Sequence, residues 1–341
     1  MKKTIINLIK IAVTIGILWW IFHKFQIGLD DIVASLKQKP AWFAVSFLMQ
    51  FGAVLFSILR WNVLLEGQNL RVPFAHVFKT FLVGRFLGTF TPTGVGLEAY
   101  KAYDIARYTG KAEESVSVVL IEKMVATFFS LSLLVLLTLP FFIGSISARF
   151  LYVFAAFFAV LLVLALMLLF SPRLIRKILG FSFPLRGKIE KPLLKMIDAF
   201  TIYSQKKGSL LAAILLGIVV YFFWFLTYYT NSLALGAGLT LADIFKVGPM
   251  TQIATMIPLS IAGIGLREGA FMGLLNSLGV IEGASSAARS AMMLSATMVY
   301  FVSVTVNILG AIIFLTRRTD YQQQMDEMRK SRRAEPIQTT A

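Results

Sequence analysis

Two stretches of this 341-residue chain repeat one pattern, and each breaks an apolar segment near its middle. The first runs Gly67-Gln68-Asn69-Leu70, then Phe78-Lys79, then Pro92-Thr93-Gly94-Val95-Gly96-Leu97-Glu98. The second runs Gly236-Ala237-Gly238-Leu239, then Phe245-Lys246, then Pro258, then Gly263-Ile264-Gly265-Leu266-Arg267-Glu268. A membrane-length apolar run precedes and follows each block. Broken backbone at membrane depth is tolerated only where protein or a wet cavity surrounds it. Paired Gly/Pro interruptions at matching places in two halves point to a transporter binding site. The pattern predicts an all-α, polytopic membrane protein of two repeats, with translocation as the leading function.

Composition supports a membrane chain. Hydrophobic residues make up 57%, charged residues 15%, and the mean hydropathy is +0.77. Soluble domains carry roughly 25% charged residues. Once the apolar runs are removed, no stretch is left for a soluble catalytic head. The net charge of +16 lies in membrane-flanking loops. With no basic folded domain, nucleic-acid binding is not expected; anionic phospholipid head groups are the expected partners. The absence of cysteine excludes disulfides, thiolate metal sites and Cys nucleophiles. His23 and His76 are isolated, so no metal site is expected. Gly94-Val95-Gly96 and Gly263-Ile264-Gly265 do not complete a dinucleotide fingerprint, and there is no Walker motif. No Ser–His–acid set is evident. The expectation is a non-enzyme without a cofactor.

Six runs reach the ~20 residues that a transmembrane helix needs: 5–25, 41–65, 114–142, 149–170, 209–235 and 285–315. Segments 74–109 and 240–280 are broken by Pro and Gly into arms too short for a full span, which predicts two re-entrant helical hairpins. The alternative is eight spans, each hairpin crossing as two short helices. Basic residues concentrate at the N-terminus, in 66–112, in 171–208 and after residue 316. By the positive-inside rule these are cytoplasmic, with both termini inside and the chain in a cell's inner membrane. The two repeats, about 41–142 and 209–315, are then inverted. They form one membrane domain, 1–315, with 171–208 as an interfacial connector. Within it, Ile189, Leu193, Ile197 and Phe200 share one face of an expected amphipathic helix. The tail, 316–341, is polar and mixed in charge, the composition of a disordered extension.

Candidate ligand-binding residues follow from the breaks. Glu98 and Glu268 fall where the returning arm begins, so each either caps its helix or faces a ligand beside the free N–H groups. Arg267 could grip a phosphodiester bidentately. Lys101 shares a helix face with Glu98. Pro92, Gly94, Gly96, Pro258, Gly263 and Gly265 are the expected break points. Glu122 and Lys123 lie inside an apolar span, where ionisable groups usually face a bundle interior. Arg289 holds a similar place in the last span, which suggests a Glu122–Arg289 relation across the symmetry axis. Arg85 lies inside the first entering arm and faces a cavity or snorkels.

At the same hairpins the chain resembles the transmembrane, flippase-like region of the lysylphosphatidylglycerol synthase family. Residues Pro258 to Ala270 carry the closer match, and Pro92 to Glu98 with Lys101 resembles the family's Pro/Gly-rich turn and its charged followers. The resemblance covers most of 5–315 and implies the lipid-translocating half without the synthase domain. The expected function is movement of an anionic or modified phospholipid between leaflets. Two alternatives stand beside it: a scaffold that partners a separate lipid-modifying enzyme, and a small-solute secondary transporter.

Overall fold

The computed structural model describes residues 39–89, 91, 95–171, 201, 203, 206–257, 263 and 265–334. The expected first span, 5–25, and nearly all of 187–205 lie outside the described residues. Among the described residues the helices are α1 (Pro40–Gly67), α2 (Phe74–Thr89), α3 (Val95–Thr109), α4 (Ala112–Lys123), α5 (Ser132–Thr138), α6 (Ala148–Phe170), α7 (Lys207–Leu235), α8 (Leu241–Met256), α9 (Leu266–Ser277) and α10 (Ser286–Ala334). Five stretches are long and apolar enough to cross a membrane: α1, Ala112–Phe142, Ala148–Met167, α7 and Ser286–Thr316. They coincide with the last five expected spans.

Two details depart from the sequence expectation. The span Ala112–Phe142 is not a uniform α-helix, because a π-helical segment, Met124–Leu131, joins α4 to α5. Such wide turns are rare and occur frequently at functional sites. The tail is not a disordered extension from its start, since α10 continues unbroken to Ala334. Extending an existing helix avoids the cost of nucleation. Residues 317–334 are also rich in Arg, Gln, Glu, Lys and Met, all good helix formers.

The central pair, α1 and α7, runs antiparallel. Lys39 Nζ donates to Leu233 O at 3.2 Å, Ser46 Oγ to Asn231 Oδ1 at 2.6 Å, and Lys206 Nζ to Asn69 Oδ1 at 2.5 Å. Glycine permits the close approach, since a Cβ on Gly52 would strike the Phe223 ring. Small residues at helix contacts are how membrane bundles gain van der Waals packing. Buried apolar residues form two clusters: one holds Trp61, Phe81, Ile105 and Ile121, the other Phe225, Tyr228, Val247 and Phe271.

The repeat is visible in helix boundaries. Pro40 and Lys207 start α1 and α7, Phe74 and Leu241 start α2 and α8, and Thr89 and Met256 end those arms. Each pair is offset by 167 residues. In this register Asn69 matches Gly236. Both are left-handed (φ 57° and 65°), and the N–H of the next residue closes each helix on Leu65 O or Ser232 O. The sequence pairing of Gly67 with Gly236 is therefore two residues out of register. Beyond the tips the offset grows, because the second hairpin has the longer turn.

The arms of the hairpins hold 16 and 15, then 16 and 12 residues. That is ~18–24 Å of helix against a hydrocarbon core of ~30 Å. In the first hairpin His76, near the start of α2, packs on Tyr108, near the end of α3, with ring centroids 4.3 Å apart. His76 Nε2 also lies 2.9 Å from Asp104 Oδ2. The chain thus returns to the end it entered from. The first hairpin begins beside the C-terminus of α1 and the second beside the C-terminus of α7. Since α1 and α7 are antiparallel, the hairpins enter from opposite ends of the bundle.

Candidate functional site

The inner ends of both hairpins meet at one cavity of about 590 Å³. Thr89 and Glu98 reach it from the first hairpin, Thr255 and Arg267 from the second, and Tyr300 and Asn307 from α10. Trp224, near the midpoint of α7, is at the same level. The first entering arm is fastened in place by polar contacts. Arg85 Nε donates to Asn307 Oδ1 at 2.9 Å and its Nη2 to Ser303 Oγ at 2.8 Å. Asn307 Nδ2 in turn donates to Thr89 Oγ1 at 2.8 Å. Gly310 is what lets α10 come this close: a Cβ there would overlap the carbonyl of Leu82.

Behind the cavity wall lies an ion chain that alternates in sign: Arg60, Glu122, Lys101, Glu98, Lys123. Arg60 Nη2 lies 3.1 Å from Glu122 Oε1. The Lys101 ammonium contacts the other Glu122 oxygen and lies 3.1 Å from Glu98 Oε2. Lys123 Nζ is 3.9 Å from Glu98 Oε1. Lys101 is only 1% exposed and sits over the rings of Trp61 and Phe81, 4.9 and 5.2 Å from their centroids. Aromatic faces and two carboxylates together offset the desolvation of that buried cation. Arg60, Lys101 and Glu122 are buried, whereas Glu98 and Lys123 reach the cavity.

The expected site residues therefore separate. Glu98 and Arg267, each in the first turn of a returning arm, both line the cavity. Lys101 and Glu122 stand one layer behind. Glu268 is fully buried and is not among the lining residues; its Oε2 accepts from Gly265 N–H at 2.5 Å and so caps α9. Arg289 does not pair with Glu122. It sits in the first turn of α10 and donates to Ile281 O at 3.3 Å, while Arg60 and Lys101 are the partners of Glu122. The helix start of α10 lies too near the end of the bundle for the relation that the sequence suggested.

Of the break residues, Pro92, Gly94 and Pro258 lie outside the described residues. Gly96 N–H donates to Thr91 Oγ1 at 2.8 Å, and a Cβ there would crowd Thr91 and Leu87 O. Gly263 and Gly265 hold φ of 73° and 87°, where only glycine is unstrained. Sequence reasoning passed over Arg60. Its signal was present, because an arginine deep in an otherwise apolar span faces a partner by default.

Charge decides what the cavity can hold. Among the described residues Arg85, Lys123 and Arg267 line it, with Glu98 as the one carboxylate. The N-terminal end of α3 also lies at it and adds partial positive charge, while that of α9 is capped by Glu268. Such a place favours an anion, and guanidinium groups suit a phosphate in particular. Fold and site together define a multi-pass helical membrane protein with paired hairpins around an anion-favouring cavity. The profile of the lysylphosphatidylglycerol synthase TM region matches residues 7–315, and the chain belongs to that family. A UPF0104 membrane protein of Pyrococcus horikoshii is 26% identical over 347 aligned residues, covering 93% of this chain and 98% of the relative.

Proposed function

We propose that this chain moves an anionic phospholipid between leaflets, its head group passing through the cavity while the acyl chains stay in the bilayer. The observation that carries this reading is the charge of the cavity, where Arg85, Lys123 and Arg267 face one carboxylate. Its volume of about 590 Å³ suits a head group, within the ~300–1,000 Å³ of small-molecule sites. Two exposed apolar side chains, Val95 and Leu120, lie on its rim. Leu120 shares a face of α4 with the exposed Val116, four residues before it. A rim of this kind favours an amphiphile arriving sideways over a small solute arriving from water. In this reading the chain lies in a cell's inner membrane with its basic segments and both termini cytoplasmic, and it performs no covalent chemistry of its own.

The test is leaflet exchange of labelled lipids in liposomes that contain only the purified chain. Exchange of phosphatidylglycerol well above protein-free liposomes is expected, falling in Arg85→Ala and Arg267→Ala. Exchange equal to protein-free liposomes would sink the reading, and transport of a soluble phosphate ester without lipid exchange would favour the solute alternative.

A further inference from the structure

Glu98 is out of place in a cavity built for an anion. It is the single carboxylate among the described lining residues, it stands where the first returning arm begins, and its side chain is 26% exposed. Its two oxygens are not idle. One holds Lys101 at 3.1 Å, and the other lies 3.9 Å from Lys123. The two lysines differ. Lys101 is buried and also held by Glu122, while Lys123 has a side chain 46% exposed and, among the described residues, a single, long ion contact. One partner of Glu98 is fixed and the other is loose.

We propose that Glu98 is the internal counter-ion of this cavity: it holds Lys123 while the cavity is empty and yields it to the phosphate of an incoming head group. This rests on the head-group reading above. A phosphate near Lys123 repels the Glu98 carboxylate, which keeps its hold on Lys101 as Lys123 swings across. The exchange preserves the neutralisation of the buried ammonium, so the ion chain behind the wall stays intact. Glu98 thereby weakens binding of every anion. Weakened binding is useful to a carrier, which must release what it takes up. Glu98 also sets the preference for anionic over zwitterionic head groups, because the cavity's net charge depends on it.

The experiment uses the full chain in nanodiscs and measures binding of short-chain phosphatidylglycerol, short-chain phosphatidylcholine and soluble glycerol phosphate by calorimetry. Glu98→Gln should bind phosphatidylglycerol at least about fivefold more tightly, since removing a like charge ~4 Å away is worth about 1 kcal/mol even with bulk-water screening and more where water is excluded. Its preference over phosphatidylcholine should rise with it, and Lys123→Met in the same chain should abolish the gain. Weaker or unchanged binding of phosphatidylglycerol by a folded Glu98→Gln would overturn the proposal. If that variant does not fold, Lys123→Met alone is read instead: it leaves Glu98 on Lys101 and removes the ammonium that would pass to the phosphate, and phosphatidylglycerol binding no weaker than wild type overturns the proposal equally. Tight binding of glycerol phosphate alone would assign the same counter-ion role toward a soluble phosphate. The two readings fail separately. Wild-type protein that binds none of the three ligands refutes the head-group cavity, whereas wild-type binding lost in Arg267→Ala but not raised in Glu98→Gln refutes only the counter-ion.

Discussion

At the residue scale, the arginine and glutamate side by side at the second tip have different roles, although they are neighbours in sequence. Glu268 closes the first turn of α9 on Gly265 N–H, whereas Arg267 faces the cavity. Glu268→Ala should therefore act through folding, at about 0.5–2 kcal/mol for a lost helix cap. On the proposed reading Arg267→Ala removes a charge-assisted contact to phosphate, about 1.5–3 kcal/mol, and should weaken head-group binding about 10- to 150-fold. Arg267→Lys should restore part of that, since a lysine lacks the planar fork. Thermal unfolding and head-group binding measured on each variant separate the two; equal losses of both in both variants would contradict the division. Lys101 makes the opposite case. Lys101→Met leaves the buried Glu122 with Arg60 alone, which costs less than the ~3–5 kcal/mol of a buried charge left with no partner. A fall in the unfolding midpoint is expected, and an unchanged midpoint would show that the ion chain adds nothing to stability.

At the element scale, the hairpin arms and the spans reach their positions through glycines that look alike in sequence and behave differently in the fold. Gly310 lies where α10 crosses α2, and no Cβ fits between it and the Leu82 carbonyl. Gly273, inside α9, faces open space: a Cβ added there would meet nothing within 4 Å. Gly310→Ala should push α10 from the arm that Arg85 fastens to Asn307, and lower both stability and lipid exchange. Gly273→Ala should be neutral or stabilise by about 0.5–1 kcal/mol, the usual gain of alanine over glycine inside a helix. Comparing the two unfolding midpoints checks the packing directly; equal shifts would remove the case for a tight crossing. Such contrasts explain what could be read from sequence. The five described spans were legible because length and hydropathy alone mark them, and the hairpins because Pro and Gly interrupt apolar runs. The π-helical segment was not, since Met124–Leu131 carries no Gly, Pro or charge to mark it and its widening is met by tertiary contacts, Tyr221 Oη donating to Ala126 O at 3.2 Å. Arg60 was marked as a charge inside an apolar span, but its pairing with Glu122 needed the third dimension, because 62 residues separate them in the chain.

At the scale of the whole molecule, the two hairpins are one device installed twice in opposite senses, and the copies differ at their tips. The first tip presents a carboxylate in its first returning turn, the second a guanidinium, so the pseudo-symmetric cavity is charged unequally on its two sides. An inverted pair of arms that share one cavity can expose it to either face by rocking one repeat against the other. That requires the entry points of the hairpins to lie on opposite membrane faces. Lys79, exposed near the start of the first arm, and Lys246, whose ammonium lies 5.1 Å from the Phe141 ring centroid, mark those entry points. Lys79→Cys and Lys246→Cys, made singly in this cysteine-free chain, should react with a membrane-impermeant reagent from opposite sides. Lys79→Cys is expected on the cytoplasmic side, where basic residues gather. Labelling of both from one side would contradict the inverted arrangement and leave the cavity without a route to one leaflet.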